Sequence, residues 1–203
     1  MNILQEIYLF AAQAMLVAVL LCVLPARLMK DMAKRRLLVL ALLLLSLFVP
    51  LFGLTVAQWL RSVVGDVSVI STVLFVHIIM QRLFSIKLIE DESKKAGLLA
   101  IIAVGIVFYP LALGLGFYDP YHLGFSPLYM SLLLCLLSLL AWFSARRSLA
   151  VIILLPLLAF NLHLLESGNL WDYLIDPIVL IYALVQSVSV MRLGSLSKKR
   201  GSA

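Results

Sequence analysis

Three carboxylates, Glu166, Asp172 and Asp176, fall within eleven residues of the stretch ESGNLWDYLIDP (166–177), interleaved with Trp171 and Tyr173. A second stretch, GFYDPYHLGFSP (116–127), sets Asp119 and His122 among phenylalanines and tyrosines. Both stretches lack Lys and Arg, and both contain an Asp-Pro pair. His163 precedes Glu166 by three residues and Asp172 precedes Asp176 by four, spacings that place each pair on one face of a helix. Together Asp119, His122, His163, Glu166, Asp172 and Asp176 have the residue types for general acid–base chemistry or for a divalent metal. Their spacing matches no zinc motif, and the chain has no nucleophile elbow and no phosphate-cradling loop.

The same residues have a plainer reading. Asp is a favoured N-cap and Pro a favoured first helical residue, so Asp176-Pro177 simply starts a helix. Tyr and Trp suit a membrane–water boundary because the ring is apolar and one edge is polar. One feature resists this reading. A helix from Pro177 has about fourteen residues before Arg192, roughly 21 Å, against a hydrocarbon core of roughly 30 Å. Either the helix runs past Arg192, or it begins near Asn169. The second option draws Asp176 into the apolar layer, where a carboxyl group suits proton transfer.

The elements that must position these groups follow from hydropathy and charge. The 203 residues are 64% hydrophobic with a mean hydropathy of +1.13, well above the 45–50% apolar content of soluble domains. The run LLVLALLLLSLFVPLFGLTVAQWL (37–60) holds no charge for 24 residues, enough to cross a bilayer. Charged clusters mark seven candidate spans near 3–24, 37–60, 67–84, 96–116, 128–144, 149–165 and 174–191. The count falls to six if 67–84 is re-entrant or 149–165 only partly inserted. The expected fold is therefore an all-α polytopic bundle over 1–191, followed by a short basic and disordered cytoplasmic tail, 192–203.

With seven spans, fifteen of the sixteen Lys and Arg residues fall on one side with four acids; Arg61 alone falls on the other, with six. The positive-inside rule then places the amino terminus outside and the carboxyl terminus in the cytoplasm. The formal charge of +6 thus reports topology and attraction to anionic head groups rather than nucleic acid. The start MNILQEIYLF carries Glu6 and no basic residue, unlike a cleavable signal. Short loops and the lack of an N-x-S/T sequon fit a bacterial inner membrane.

Inside the spans lie Pro50, Pro110 and Pro156, expected to kink helices or simply to pack. Cys22 and Cys135 read as small buried hydrophobes. His77 shares a face with Gln81 and reads as a neutral histidine bonded to a neighbouring helix. With His77 near the inner side and His122 and His163 near the outer, paired haem ligation is not expected. Cofactors and metals are left unknown by the sequence; the expected partners are the bilayer and other membrane proteins, with no nucleic acid. Three function classes remain: an accessory or scaffold subunit of a cell-envelope assembly, favoured by small size and short loops; a membrane-embedded hydrolase or transferase acting on a lipid-linked substrate at the outer face; and a small-solute transporter or sensor-like bundle.

Overall fold

A computed structural model describes residues 3–23 and 31–200, with side chains as far as residue 188. The basic residues Arg27, Lys30, Arg192, Lys198, Lys199 and Arg200, whose side chains entered the charge count, lie outside that description. The described chain is mostly helical. Helix α1 (Ile3–Val23) buries Leu9, Ala12 and Leu16 and packs along α4 (Val69–Phe84), with α2 (Met32–Phe48) on its other flank. Asp31 caps α2 by accepting from the Ala33 and Lys34 amides. The next two basic residues reach other helices: Arg35 donates to the Cys22 carbonyl at 2.6 Å and Arg36 to the Leu83 carbonyl at 2.7 Å. A guanidinium on the last carbonyls of a helix satisfies orphan acceptors and opposes the dipole.

The uncharged run 37–60 is not one helix. After α2 stops at Phe48, strands β1 (Pro50–Leu51) and β2 (Leu54–Thr55) form a two-residue hairpin, followed by α3 (Val56–Val64). Pro50 has no N–H to continue the helix, and Phe52 (φ 53°) with Gly53 (φ 86°) forms a turn of the primed type that such hairpins prefer. Thr55 and Gln58 then close a reciprocal capping box on α3. Hydropathy hides this break because the hairpin residues are themselves apolar.

The remaining helices cover the segments expected between charge clusters: α4, α5 (Asp91–Ala112), α6 (Pro127–Phe143), α7 (Arg147–Asn161) and α9 (Pro177–Arg200), with a five-residue α8 (Leu170–Leu174) before the last. Pro110 lies near the end of α5 and Pro156 is buried within α7. Helix α9 continues past Arg192 to Arg200, so the expected disordered tail is helical backbone as far as that residue. Helices α1 and α5 are long and apolar enough to cross a membrane; α4, α6 and α7 are apolar but shorter. His77 is buried, and its Nδ1 accepts from the Ile89 amide at 3.3 Å, a loop partner rather than another helix. Cys22 is buried as expected, whereas Cys135 is exposed on α6, contrary to expectation.

The exterior is unusually apolar, and the hydrophobic interior also holds several polar side chains. Gln13, Ser68, Ser71, His77, Ser138 and Asn169 are buried, while leucines, valines and phenylalanines of α2, α5, α6 and α9 stand exposed. One end of the bundle gathers Arg61, Asp66, Glu166 and Asp176; the opposite end of α4 meets Arg36.

Candidate functional site

The two acidic stretches meet at the acidic end and lock together. Asp119 caps a short 3-10 helix (Pro120–Phe125) by accepting from the Tyr121 amide at 2.9 Å. Asn169, fully buried, accepts from the Trp171 amide and donates its Nδ2 to the Tyr121 carbonyl at 2.9 Å. Trp171 Nε1 donates to the Pro120 carbonyl at 2.9 Å, and the Tyr121 hydroxyl donates to Asp172 Oδ2 at 3.0 Å. Gly124 is required by this closeness: a Cβ there would overlap the Asn169 amide and lie 2.9 Å from Trp171 Cδ1. Tyr173, fully buried, ties the loop from α7 by accepting from the Leu165 amide at 3.1 Å.

Under this cap lies a cavity of about 490 Å³. Asp66, Asp172 and Asp176 line it together with Phe108, Tyr109 and Tyr121. Asp176 is 7% exposed and serves two helices at once. Its Oδ1 accepts from the Val179 amide at 2.8 Å, capping α9, and from the Ser71 hydroxyl at 2.9 Å; its Oδ2 accepts from the Ser68 amide at 2.8 Å, where α4 begins. A carboxylate at two helix N-termini is stabilised by both dipoles and by charge-assisted bonds, without a cation. Arg61 joins the other two acids, at 2.8 Å to Asp66 and 2.7 Å to Glu166. These bonds, Asp66 first, hold the guanidinium above its ordinary range. Burial, then the Asp172 bond, pushes the Tyr121 phenol up. Burial does the same to Tyr173.

The six residues singled out from sequence therefore separate. Asp172 and Asp176 share the cavity; Glu166 sits at the Arg61 clamp; Asp119 is an exposed cap. His122 and His163 are exposed and do not line the cavity. The expected i, i+3 pairing of His163 with Glu166 fails because α7 ends at Asn161 and His163 takes a left-handed φ of 51°. Asp172 and Asp176 do not share a helix face either, because α8 ends at Leu174 before Asp176. Among the described residues no three His, Cys, Asp or Glu side chains converge to hold a metal ion. Sequence reasoning missed Asp66, Tyr109 and Asn169. The signal for Asp66 was its place beside Arg61, the single cation on the acidic side.

Comparison with known proteins finds no matching family model, no matching curated protein and no matching solved structure. What the site can do chemically rests on its own groups: a pre-built cavity offers carboxylate acceptors and phenolic donors to a ligand entering from the acidic end.

Proposed function

We propose that this chain is a polytopic membrane protein of about seven passes, amino terminus outside and carboxyl terminus in the cytoplasm of a bacterial cell, that works as an accessory or scaffold subunit of a cell-envelope assembly. Its apolar exterior and the hydrogen-bonded polar side chains within its hydrophobic core support residence in lipid, where an exposed Leu is at no disadvantage and a buried Ser needs a partner. Passes two and three are supported by the composite α2–hairpin–α3 segment and by α4, the shorter helices being accommodated by local thinning of the bilayer.

One observation carries the scaffold reading. Phe117, Tyr118 and Phe125 project from the loop between α5 and α6, and Tyr129 from the first turn of α6, each more than half exposed, while Asn169 and Trp171 pin that loop from behind where Gly124 lets them approach. Rigid, exposed aromatics are the side chains that anchor protein interfaces, and a pinned loop loses little entropy on docking. The occupant is another membrane protein of the same assembly. A photo-crosslinking residue at Phe117 or Phe125, at native abundance, is expected to give one adduct of defined mass, and the same probe at Leu136 on α6 none. Absence of the adduct, or an equal adduct from Leu136, rejects the reading.

The cavity supports a second reading, the lipid-linked hydrolase or transferase, with Asp172 as its proton-transfer group and Tyr121 positioning it. Asp172→Asn that accumulates and unfolds like wild type but fails to rescue a deletion strain is the outcome this reading requires; full rescue rejects it.

A further inference from the structure

A second cavity, of about 270 Å³, lies between α1 and α3 beside the Arg61 clamp. Helix α1 presents Glu6, Leu9, Phe10 and Gln13 to it, the spacing of one helix face, and α3 presents Gln58 and Arg61. Glu6 is exposed and Gln13 only 3% exposed. The cleft therefore runs from a carboxylate at its mouth to an amide at its floor, about two helical turns along α1.

Gln13 is held in one orientation. Its Nε2 donates to the Gly65 carbonyl at 2.9 Å, and the flipped amide would set two acceptors against each other. Its Oε1 is thereby left buried with no donor among the described residues. A buried acceptor without a donor weakens a fold, and a ligand N–H beside it removes that penalty. The other polar groups of the cleft are already engaged or are acidic. Gln58 commits its Oε1 to the Thr55 amide at 2.8 Å, and Arg61 is held by Asp66 and Glu166. Glu6 forms no ion pair among the described residues. The charge left open in the cleft is negative, and its orphaned buried group is an acceptor.

We propose that this cleft binds a primary ammonium group, which Glu6 draws in at the mouth and whose N–H donates to Gln13 Oε1 at the floor. The methylenes next to the nitrogen lie against Leu9 and Phe10. A quaternary ammonium has no N–H to give and leaves the amide oxygen unsatisfied, and an anion is repelled by Glu6. The group arrives on a free amine or on an ethanolamine lipid head group, and experiment separates the two sources.

The full chain in a neutral detergent is titrated calorimetrically with ethanolamine and with choline, each as the chloride at matched ionic strength. Ethanolamine is expected to bind once per chain, and choline at least about tenfold more weakly. Gln13→Leu should weaken ethanolamine binding about tenfold or more. Glu6→Gln, at an exposed position, should weaken it up to about fivefold, a loss that shrinks as salt is raised. Glu92→Gln, an acid at the opposite end of the bundle, should bind like wild type. Native mass spectrometry supplies the second arm. Retention of dioleoyl-phosphatidylethanolamine over dioleoyl-phosphatidylcholine assigns the group to a lipid, whereas ethanolamine binding with equal retention of the two lipids assigns it to a free amine. No preference for the primary ammonium in either arm overturns the site, as does undiminished affinity in both the Gln13→Leu and the Glu6→Gln variant. If Gln13→Leu fails to accumulate, the Glu6→Gln titration and the preference for ethanolamine over choline decide.

Discussion

Replacing Asp176 removes an acceptor that joins the starts of α4 and α9. In Asp176→Ala the Ser68 and Val179 amides lose their carboxylate partner at buried positions, and the Ser71 hydroxyl loses its acceptor but can rotate. A buried unsatisfied donor costs about 1–3 kcal/mol, so two backbone amides together cost about 2–6 kcal/mol, and loss of the N-cap is already part of that sum. Against a typical total of about 5–15 kcal/mol this is a severe change. Asp176→Asn keeps one oxygen but turns an NH2 toward a donor, and about 1–3 kcal/mol is expected. Unfolding in mixed micelles of increasing SDS mole fraction measures both variants, and hydrogen exchange at Ser68, Ser71 and Val179 localises the loss. The reasoning fails if Asp176→Ala unfolds within about 1 kcal/mol of wild type with those amides still protected. An Asn variant of full stability and no function would move Asp176 from architecture to chemistry.

Gly124→Ala drives a methyl group into the Asn169 amide and should cost about 1–3 kcal/mol by overpacking, seen as faster proteolysis of the 113–126 connection. Phe52→Gly should stabilise the chain by about 1 kcal/mol, because the 98%-exposed ring packs on nothing and the left-handed turn then carries no Cβ penalty; unchanged SDS unfolding would contradict this. The raised Tyr121 phenol favours the protonated folded state. Its contribution is full below the ordinary tyrosine range near pH 10 and is lost as pH rises through the folded value. Thermal unfolding followed from pH 8 to 11 should therefore fall more steeply for wild type than for Tyr121→Phe, and parallel curves would count against the Tyr121–Asp172 bond.

Much of the helical order was legible because lipid-like runs and charge clusters punctuate the chain so sharply. Helices α4, α6 and α7 begin and end within a few residues of the segments read from hydropathy alone. The break at Pro50 was not read, although its signals are local: a proline, then Phe-Gly at a turn, then Thr55 and Gln58 spaced as a capping box. An apolar hairpin leaves the hydropathy average unchanged, so only turn chemistry betrays it. The meeting of the two acidic stretches was legible as a shared side. Its mechanism was not, because Asn169–Tyr121 and Asp176–Ser68 join residues 48 and 108 positions apart, and nothing local in one sequence encodes such pairs. The tyrosines were read as boundary residues, which conceals that Tyr121 and Tyr173 spend their hydroxyls inside the cap.

The charge segregation that suggested a topology also fits the helix ends one by one. Helices α4 and α9 start at Asp176, while α1 and α4 end on guanidinium groups of Arg35 and Arg36. The acids that break the basic side's sign, Asp31, Glu90, Asp91 and Glu92, are not scattered: they occupy the N-cap of α2 and the N-cap and first turn of α5, helices whose positive dipole ends point that way. A translocation rule alone would be indifferent to where within a loop each charge sits, since it counts Lys and Arg and gives Asp and Glu little weight. Placement at helix termini therefore requires a second cause, and the dipoles with their orphan backbone groups supply one. Arg146 and Arg147 at the start of α7 violate that second rule while obeying the first. Part of that cost is recovered locally: the Arg147 guanidinium lies over the Trp142 ring at 5.7 Å, so the pair answers to topology and to an aromatic neighbour rather than to its own helix.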